Sequence, residues 1–151
     1  MSTMNTTNTT NTTNTMNLAS IRLITADITA LVAFYEKATG IPATWFTPDF
    51  AELATPAGAT LAIGSTRTVP LFAADSAAPA ANRSAIIEFL VEDVDALWHQ
   101  LAPWATEVVA EPKTLPWGNR SLLLRDPDGN LVNFFTPVTP EARAKFGLAA
   151  V

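Results

Sequence analysis

Leu122-Leu123-Leu124-Arg125-Asp126-Pro127-Asp128-Gly129-Asn130-Leu131-Val132-Asn133-Phe134-Phe135 sets two apolar runs on either side of a Pro-Asp-Gly turn. Pro presets φ, Asp can bond back to its own backbone, and Gly takes the φ > 0 position at little steric cost. The stretch therefore predicts a β-hairpin. A fainter copy stands earlier, in Phe50-Ala51-Glu52-Leu53-Ala54-Thr55-Pro56-Ala57-Gly58-Ala59-Thr60-Leu61-Ala62-Ile63. There Pro56 and Gly58 precede Pro127 and Gly129 by 71 positions. A hairpin written twice points to one unit used twice.

The chain before each hairpin follows the same order. Ile21-Arg22-Leu23-Ile24 is a strand, and Asp27 or Thr29 can cap a helix carrying Leu31, Phe34, Tyr35 and Ala38 at helical spacing. Gly40 and Pro42 stop that helix, and Trp45-Phe46 begins the next strand. Thr68-Val69-Pro70-Leu71-Phe72 is expected as an edge strand, where Pro is tolerated, and Ala73 to Ala81 as a linker. Then Ala85 to Val91 is a strand, and Asp93 or Asp95 opens a helix with Val94, Leu97, Trp98 and Leu101 on one stripe. Glu107 to Ala110 is a strand, Pro112 to Asn119 a loop, and the opening hairpin closes the unit. Ala26-Asp27-Ile28-Thr29-Ala30-Leu31 aligns with Glu92-Asp93-Val94-Asp95-Ala96-Leu97 at an offset of 66, against 71 for the hairpins. The five extra residues fit a longer excursion around Pro116-Trp117-Gly118. The expected fold is thus α+β, built of two βαβββ modules. The boundaries expected are a Thr/Asn-rich disordered tail over 1–17, one domain over 18–137 made of modules 18–75 and 84–137, and a C-terminal helix and tail over 138–151. In that last stretch Thr139 is the N-cap, Pro140 stands at N1 and Gly147 is the stop.

Composition narrows the function classes. Of 151 residues 48% are apolar and 15% charged, which is ample for a packed interior. A net charge of -5 with no Lys/Arg cluster argues against nucleic acid and against an anionic membrane surface. No Cys is present, so thiolate chemistry and Cys–metal sites are excluded. No apolar run approaches the roughly 20 residues a membrane helix needs. Met1 to Asn17 lack the basic start and apolar middle of a signal peptide, so a cytoplasmic protein is expected.

Asp27-Ile28, Phe34-Tyr35, Gly40, Val91 to Leu97, Trp117-Gly118 and Asp126-Pro127-Asp128-Gly129-Asn130 together resemble the vicinal oxygen chelate superfamily. That group includes glyoxalase I, bleomycin and fosfomycin resistance proteins and extradiol dioxygenases. The resemblance spans Leu18 to Pro137 and implies that the two modules form a curled mixed sheet around a cavity, which in enzymatic members holds a divalent metal. It places the ligand positions seven residues before each strand–helix Asp and four beyond each hairpin Gly, at Ser20, Ala62, Ile86 and Asn133. That quartet contains no imidazole and no carboxylate. Divalent ions need several such donors, so no metal and no other cofactor is expected. His99, the one His, falls in the second helix as a surface or half-buried residue.

Strand alternation then lists what the cavity would present. Arg22 and Ile24 share the face of Ser20, and Glu88 and Leu90 that of Ile86. Thr60, Ala62, Leu131, Asn133 and Phe135 join them. Arg22 and Glu88 stand 66 apart at matching places, and an inward charge needs a partner, so an Arg22–Glu88 ion pair is expected. The candidate ligand-binding residues are Arg22, Trp45, Phe50, Glu88, Trp117, Arg120, Asn133 and Phe135, with Glu88 the one candidate catalytic acid or base. Tyr35 is expected to find a backbone or water partner, and Asp126 and Asp128 to answer local N–H groups. The function that follows is a metal-independent small-molecule binding protein holding an apolar or aromatic ligand, expected as a homodimer. The alternative is a metal-free lyase, isomerase or hydrolase that uses Glu88.

Overall fold

The structure, a computed structural model, describes residues 15–150. Up to residue 14 the expected N-terminal tail lies outside the described residues, as does Val151. The first module consists of β1 (Ser20–Thr25), α1 (Ile28–Thr39), β2 (Thr44–Thr47), β3 (Phe50–Ala54) and β4 (Thr60–Ser65). A 3-10 turn over Thr66–Thr68 leads into the single-turn helix α2 (Val69–Phe72). The second module consists of β5 (Ile86–Leu90), α3 (Val94–Leu101), β6 (Val108–Thr114), β7 (Asn119–Arg125) and β8 (Leu131–Pro137), followed by α4 (Pro140–Lys145).

Each module makes its own four-stranded sheet, in the order β1-β4-β3-β2 and β5-β8-β7-β6. The β1/β4 and β5/β8 pairs are parallel and the rest antiparallel, so both sheets are mixed, curled and not closed. β6 and β7 have seven residues each where β2 and β3 have four and five, which accounts for the five extra residues of the second module.

Local chemistry fixes the element ends. Asp27 and Asp93 cap α1 and α3 through their carboxylates, accepting from the amides of Ala30 and Ala96. Gly40 ends α1 in the left-handed conformation, its N–H donating to the Glu36 carbonyl. The two hairpin turns repeat one device: Gly58 and Gly129, at φ 103° and 84°, donate their amides to the carbonyls of Thr55 and Asp126. The expected edge strand over Thr68–Phe72 is instead helical. Ser65 accepts from the Arg67 amide to start the turn, and Pro70 sits in the first turn of α2, where its missing N–H costs nothing. The expected loop over Pro112–Asn119 is shorter than the sequence suggested, since β6 runs on to Thr114.

One continuous core joins the modules. Leu23, Leu53, Leu61 and Ile63 from the first sheet, Leu31, Val32, Phe34, Tyr35 and Ala38 from α1, and Leu122, Leu124, Val132 and Phe134 from the second sheet belong to it. α1 is the joint. Its Phe34 ring meets Trp104 at 5.3 Å between centroids and its Tyr35 ring meets Phe89 at 6.3 Å. Tyr35 is fully buried, and its hydroxyl donates to Asp126 Oδ2 at 2.6 Å, so the partner is a carboxylate and not the backbone or water that was expected. Asp126 also accepts from the amides of Asp128 and Asn130 and from the Asn130 side chain. The turn that shapes the hairpin therefore also anchors the other module. Burial and the Asp126 carboxylate push the Tyr35 phenol far above its ordinary range, so it stays a donor.

Tyr35→Phe removes that donor and leaves the buried carboxylate one partner short, so unfolding in urea is expected to show a loss of about 1.5–3 kcal/mol. A change within error of zero would show that the bond contributes nothing to joining the modules. Asp128 gives a pH signature. Burial and the Asp126 and Asp27 charges push its carboxyl up from its ordinary value of 3.8, against a hydrogen bond with Thr25, and its Oδ2 is buried without a partner. A raised carboxyl favours the folded state fully below the unfolded value, and that contribution is lost as pH rises through the raised folded value. Asp128→Asn is therefore expected to be more stable than the parent at pH 7, with the difference shrinking toward pH 3.8 and below. A constant difference across that range would refute the assignment.

Candidate ligand site

Register decides which side chains share a face. In the first sheet Leu23, Ile63, Ala51 and Trp45 lie in one row facing the helices, while Arg22, Ala62, Glu52 and Thr44 lie in the next row on the outer face. In the second sheet Phe89, Phe134 and Leu122 face the helices, and Glu88, Asn133 and Leu123 face outward. Ser20 and Ala62 belong to the first outer face, Ile86 and Asn133 to the second.

On the first outer face the Arg22 guanidinium lies over the Phe50 ring at 4.2 Å and near the Phe72 ring at 5.1 Å. Both contacts are cation–π in kind. The floor beneath is Ala62 and Gly64. A Cβ at Gly64 would meet Thr68 Oγ1 at 2.9 Å, so glycine is required by the Thr68 side chain, while Arg22 Nη1 would stand at ordinary contact distance, 3.7 Å. On the second outer face Asn133 Nδ2 donates to Glu88 Oε2 at 2.9 Å. Phe135 lies further along, with the Phe146 ring over it at 5.3 Å.

The expected Arg22–Glu88 ion pair does not form among the described residues, where the salt bridges are Arg67–Asp49 and Arg120–Asp95. Both charges sit on exposed outer faces and keep water, so neither needs the other. Arg22 uses two aromatic rings and Glu88 uses an amide.

The eight candidates are thus divided. Arg22 and Phe50 come together on one face, Glu88, Asn133 and Phe135 on the other. Trp45 stands in the helix-facing row and is not beside Arg22. Arg120 pairs with Thr136 on the helix-facing side and is held by Asp95, its Nε and Nη2 donating to the two carboxylate oxygens at 2.8 and 3.0 Å. That pairing holds the Asp95 carboxyl below its usual range and raises Arg120. Trp117 is 65% exposed at the tip of the β6–β7 turn. His99 is exposed on α3. Two depressions lie off the Arg22 and Glu88 clusters: one at the joint, lined by Ala33, Phe34, Trp104 and Arg125, and one lined by Asp95, Arg120, Thr136 and Arg143.

Sequence reasoning missed Phe72, Gly64, Ser121 and Phe146. The signal for Phe72 was present, because Ser65 and Pro70 are spaced as a capped turn and a first-turn proline. Ser121 follows from alternation along β7, being two residues from Leu123.

The donor set does not fit a divalent metal. Ser20, Ala62, Ile86 and Asn133 supply at most a hydroxyl and an amide. Among the described residues no group of three or more His, Cys, Asp or Glu is arranged so that it could hold a metal ion.

A family model described as the glyoxalase/bleomycin resistance protein/dioxygenase superfamily matches residues 17–134, and the chain belongs to that superfamily. Solved structures share the fold. A glyoxalase/bleomycin resistance protein/dioxygenase from Nocardioides superposes with a TM-score of 0.69 at 21% identity, covering 91% of this chain and 95% of its own. A glyoxalase/bleomycin resistance protein/dioxygenase family enzyme from Burkholderia phytofirmans PsJN gives 0.70 at 20%, covering 82% and 100%. A protein of unknown function from Agrobacterium tumefaciens str. C58 gives 0.67 at 24%, covering 80% and 94%. No curated protein matches the sequence.

Purified protein dialysed against zinc, manganese, nickel or iron is expected to retain none stoichiometrically, and a chelator to leave its thermal midpoint unchanged. Stoichiometric metal that depends on Glu88 or Asn133 would require a different donor set.

Proposed function

We propose that this chain is a metal-independent small-molecule binding protein of the glyoxalase/bleomycin-resistance type, taking an apolar or aromatic ligand on the outer faces of its sheets. The observation that carries this is the make-up of those faces: aromatic and aliphatic surface with a few oriented polar groups, which is the usual composition of a small-molecule site. Arg22 against Phe50 and Phe72 offers a cation beside aromatic surface, and Glu88 held by Asn133 offers a fixed carboxylate.

The second part of the reading is a homodimer. Ile86 is 52% and Leu90 46% exposed on β5, with Phe72 and Phe46 more exposed still. Apolar surface of that kind marks an interaction site. A twofold partner would cover it and bring Arg22 of one copy toward Glu88 of the other, turning two open faces into cups. The net charge of -5 disfavours nucleic acid, and no described helix is long and apolar enough to cross a membrane. A cytoplasmic setting belongs to the same reading.

A second reading follows from one detail. Asn133 holds a single oxygen of Glu88 and leaves the other free, as an oriented general base requires, so a metal-free lyase, isomerase or hydrolase is the competing function. Turnover lost in Glu88→Gln while binding survives would select it.

The neutral fluorophore N-phenyl-1-naphthylamine is expected to bind saturably, and Phe50→Ala to weaken it about five- to tenfold, the worth of one aromatic contact. Binding without saturation, or unaffected by Phe50→Ala and Asn133→Leu, would remove these faces as the site. Sedimentation is expected to give twice the 16.1 kDa chain mass, and a monomer at all concentrations would remove the dimer.

A further inference from the structure

The outer face of the second sheet carries two buried side-chain oxygens without a protein partner, Asn133 Oδ1 and Ser121 Oγ. Asn133 is 7% and Ser121 2% exposed. Ser121 pairs with Phe135 and Leu123 with Asn133, so the two polar residues are diagonal neighbours, about 7 Å apart on the same face. Their chemistry is constrained by Glu88. An amide beside a carboxylate must turn its NH2 toward it, and Asn133 Nδ2 does so at 2.9 Å. What Asn133 has left is an acceptor. Glu88 is exposed, enters no ion pair among the described residues, and keeps its second oxygen free of any protein donor there. Ser121 can accept as well.

Two cations share this face and neither satisfies the set. Arg125, beyond Leu123 on β7, is taken up by the Gly129 carbonyl at 3.0 Å. Lys113, opposite Ser121 on β6, is exposed and makes no salt bridge among the described residues. The face therefore presents a negative charge and up to three acceptors beside an apolar wall of Leu90 and Phe135. The acceptors offer an anion no donor, and a neutral hydroxyl can answer only one of them with its single proton. A protonated amine brings three N–H donors and the complementary charge.

We propose that the Glu88–Asn133–Ser121 cluster is a recognition site for the protonated amino group of an alkyl- or arylalkylamine, whose apolar body lies against Leu90 and the Phe135–Phe146 ring pair. This rests on the small-molecule binding reading above and gives its ligand a chemical class.

The test is a titration of the full chain, followed by amide NMR, with three probes of matched shape: 2-phenylethylammonium, 2-phenylethanol and 3-phenylpropionate. The expected result is at least a tenfold preference for the ammonium, a shift of the Asn133 side-chain amide on binding, and loss of the preference in Glu88→Gln. Glu88 is exposed, so that variant is expected to keep its fold, and Ser121→Ala serves if its thermal midpoint falls. Equal binding of amine and alcohol, or a preference for the carboxylate, overturns the amine assignment while the general binding role stands. A preference that survives Glu88→Gln overturns it too, by placing the cation elsewhere. Failure of all three probes to bind overturns the assignment and the binding role together.

Discussion

A four-stranded sheet has two faces, and a βαβββ unit brings one long helix with which to cover them. That shortage organises this molecule. Both sheets turn one face toward the helices, and α1 links them by contacting Trp104, Phe89 and Asp126 of the other module. The Tyr35 hydroxyl on Asp126 is the polar centre of an otherwise apolar joint. It works because the same carboxylate has already been fixed by the turn it shapes, accepting from Asp128 and Asn130. An acceptor placed in advance needs no further ordering when the second module docks. The outer faces are released from packing duty and can carry chemistry.

Much of this was legible in the chain because it is local. Pro-Asp-Gly, the Asp caps at 27 and 93, and Thr139 with Pro140 act within three or four residues of themselves, so their meaning survives without the fold. That Arg22 shares a face with Ser20, and Glu88 one with Ile86 and Asn133, was legible for a related reason, since the side-chain period in a strand is fixed. The exposure of Arg22 and Glu88, expected to point into a cavity, was not. Legibility ended where two local rules competed. Pro70 suits both an edge strand and the first turn of a helix, and only the Arg22–Phe72 contact shows what the helical choice achieves.

Other misreadings came from one-residue differences and from the relation between modules. A slip of one residue exchanges the faces of a strand. Trp45 lies beside a register shift in β2, and Arg120 is one residue out of phase with Ser121. The expected Arg22–Glu88 pair failed differently. Equal position within a repeat says that two residues occupy the same place in their modules. It does not say that they meet, because the docking of modules is set by Phe34, Tyr35, Trp104 and Phe89, none of which lies on an outer face.

The repeated backbone and the unrepeated chemistry belong to one argument. Where the superfamily resemblance implies converging metal donors, the positions here hold Ser20, Ala62, Ile86 and Asn133. Losing such donors leaves each outer face free to take its own character. On the first, the Arg22 guanidinium lies against two aromatic rings, those of Phe50 and Phe72. Asn133 instead orients a carboxylate and keeps an acceptor of its own. A metal site would need both modules to contribute like donors to one point. Under the proposed binding role, two unlike half-sites need only that a ligand, or a second copy of the chain, match each of them. The fold supplies the repetition, and the side chains at four paired positions decide that the halves are no longer equivalent.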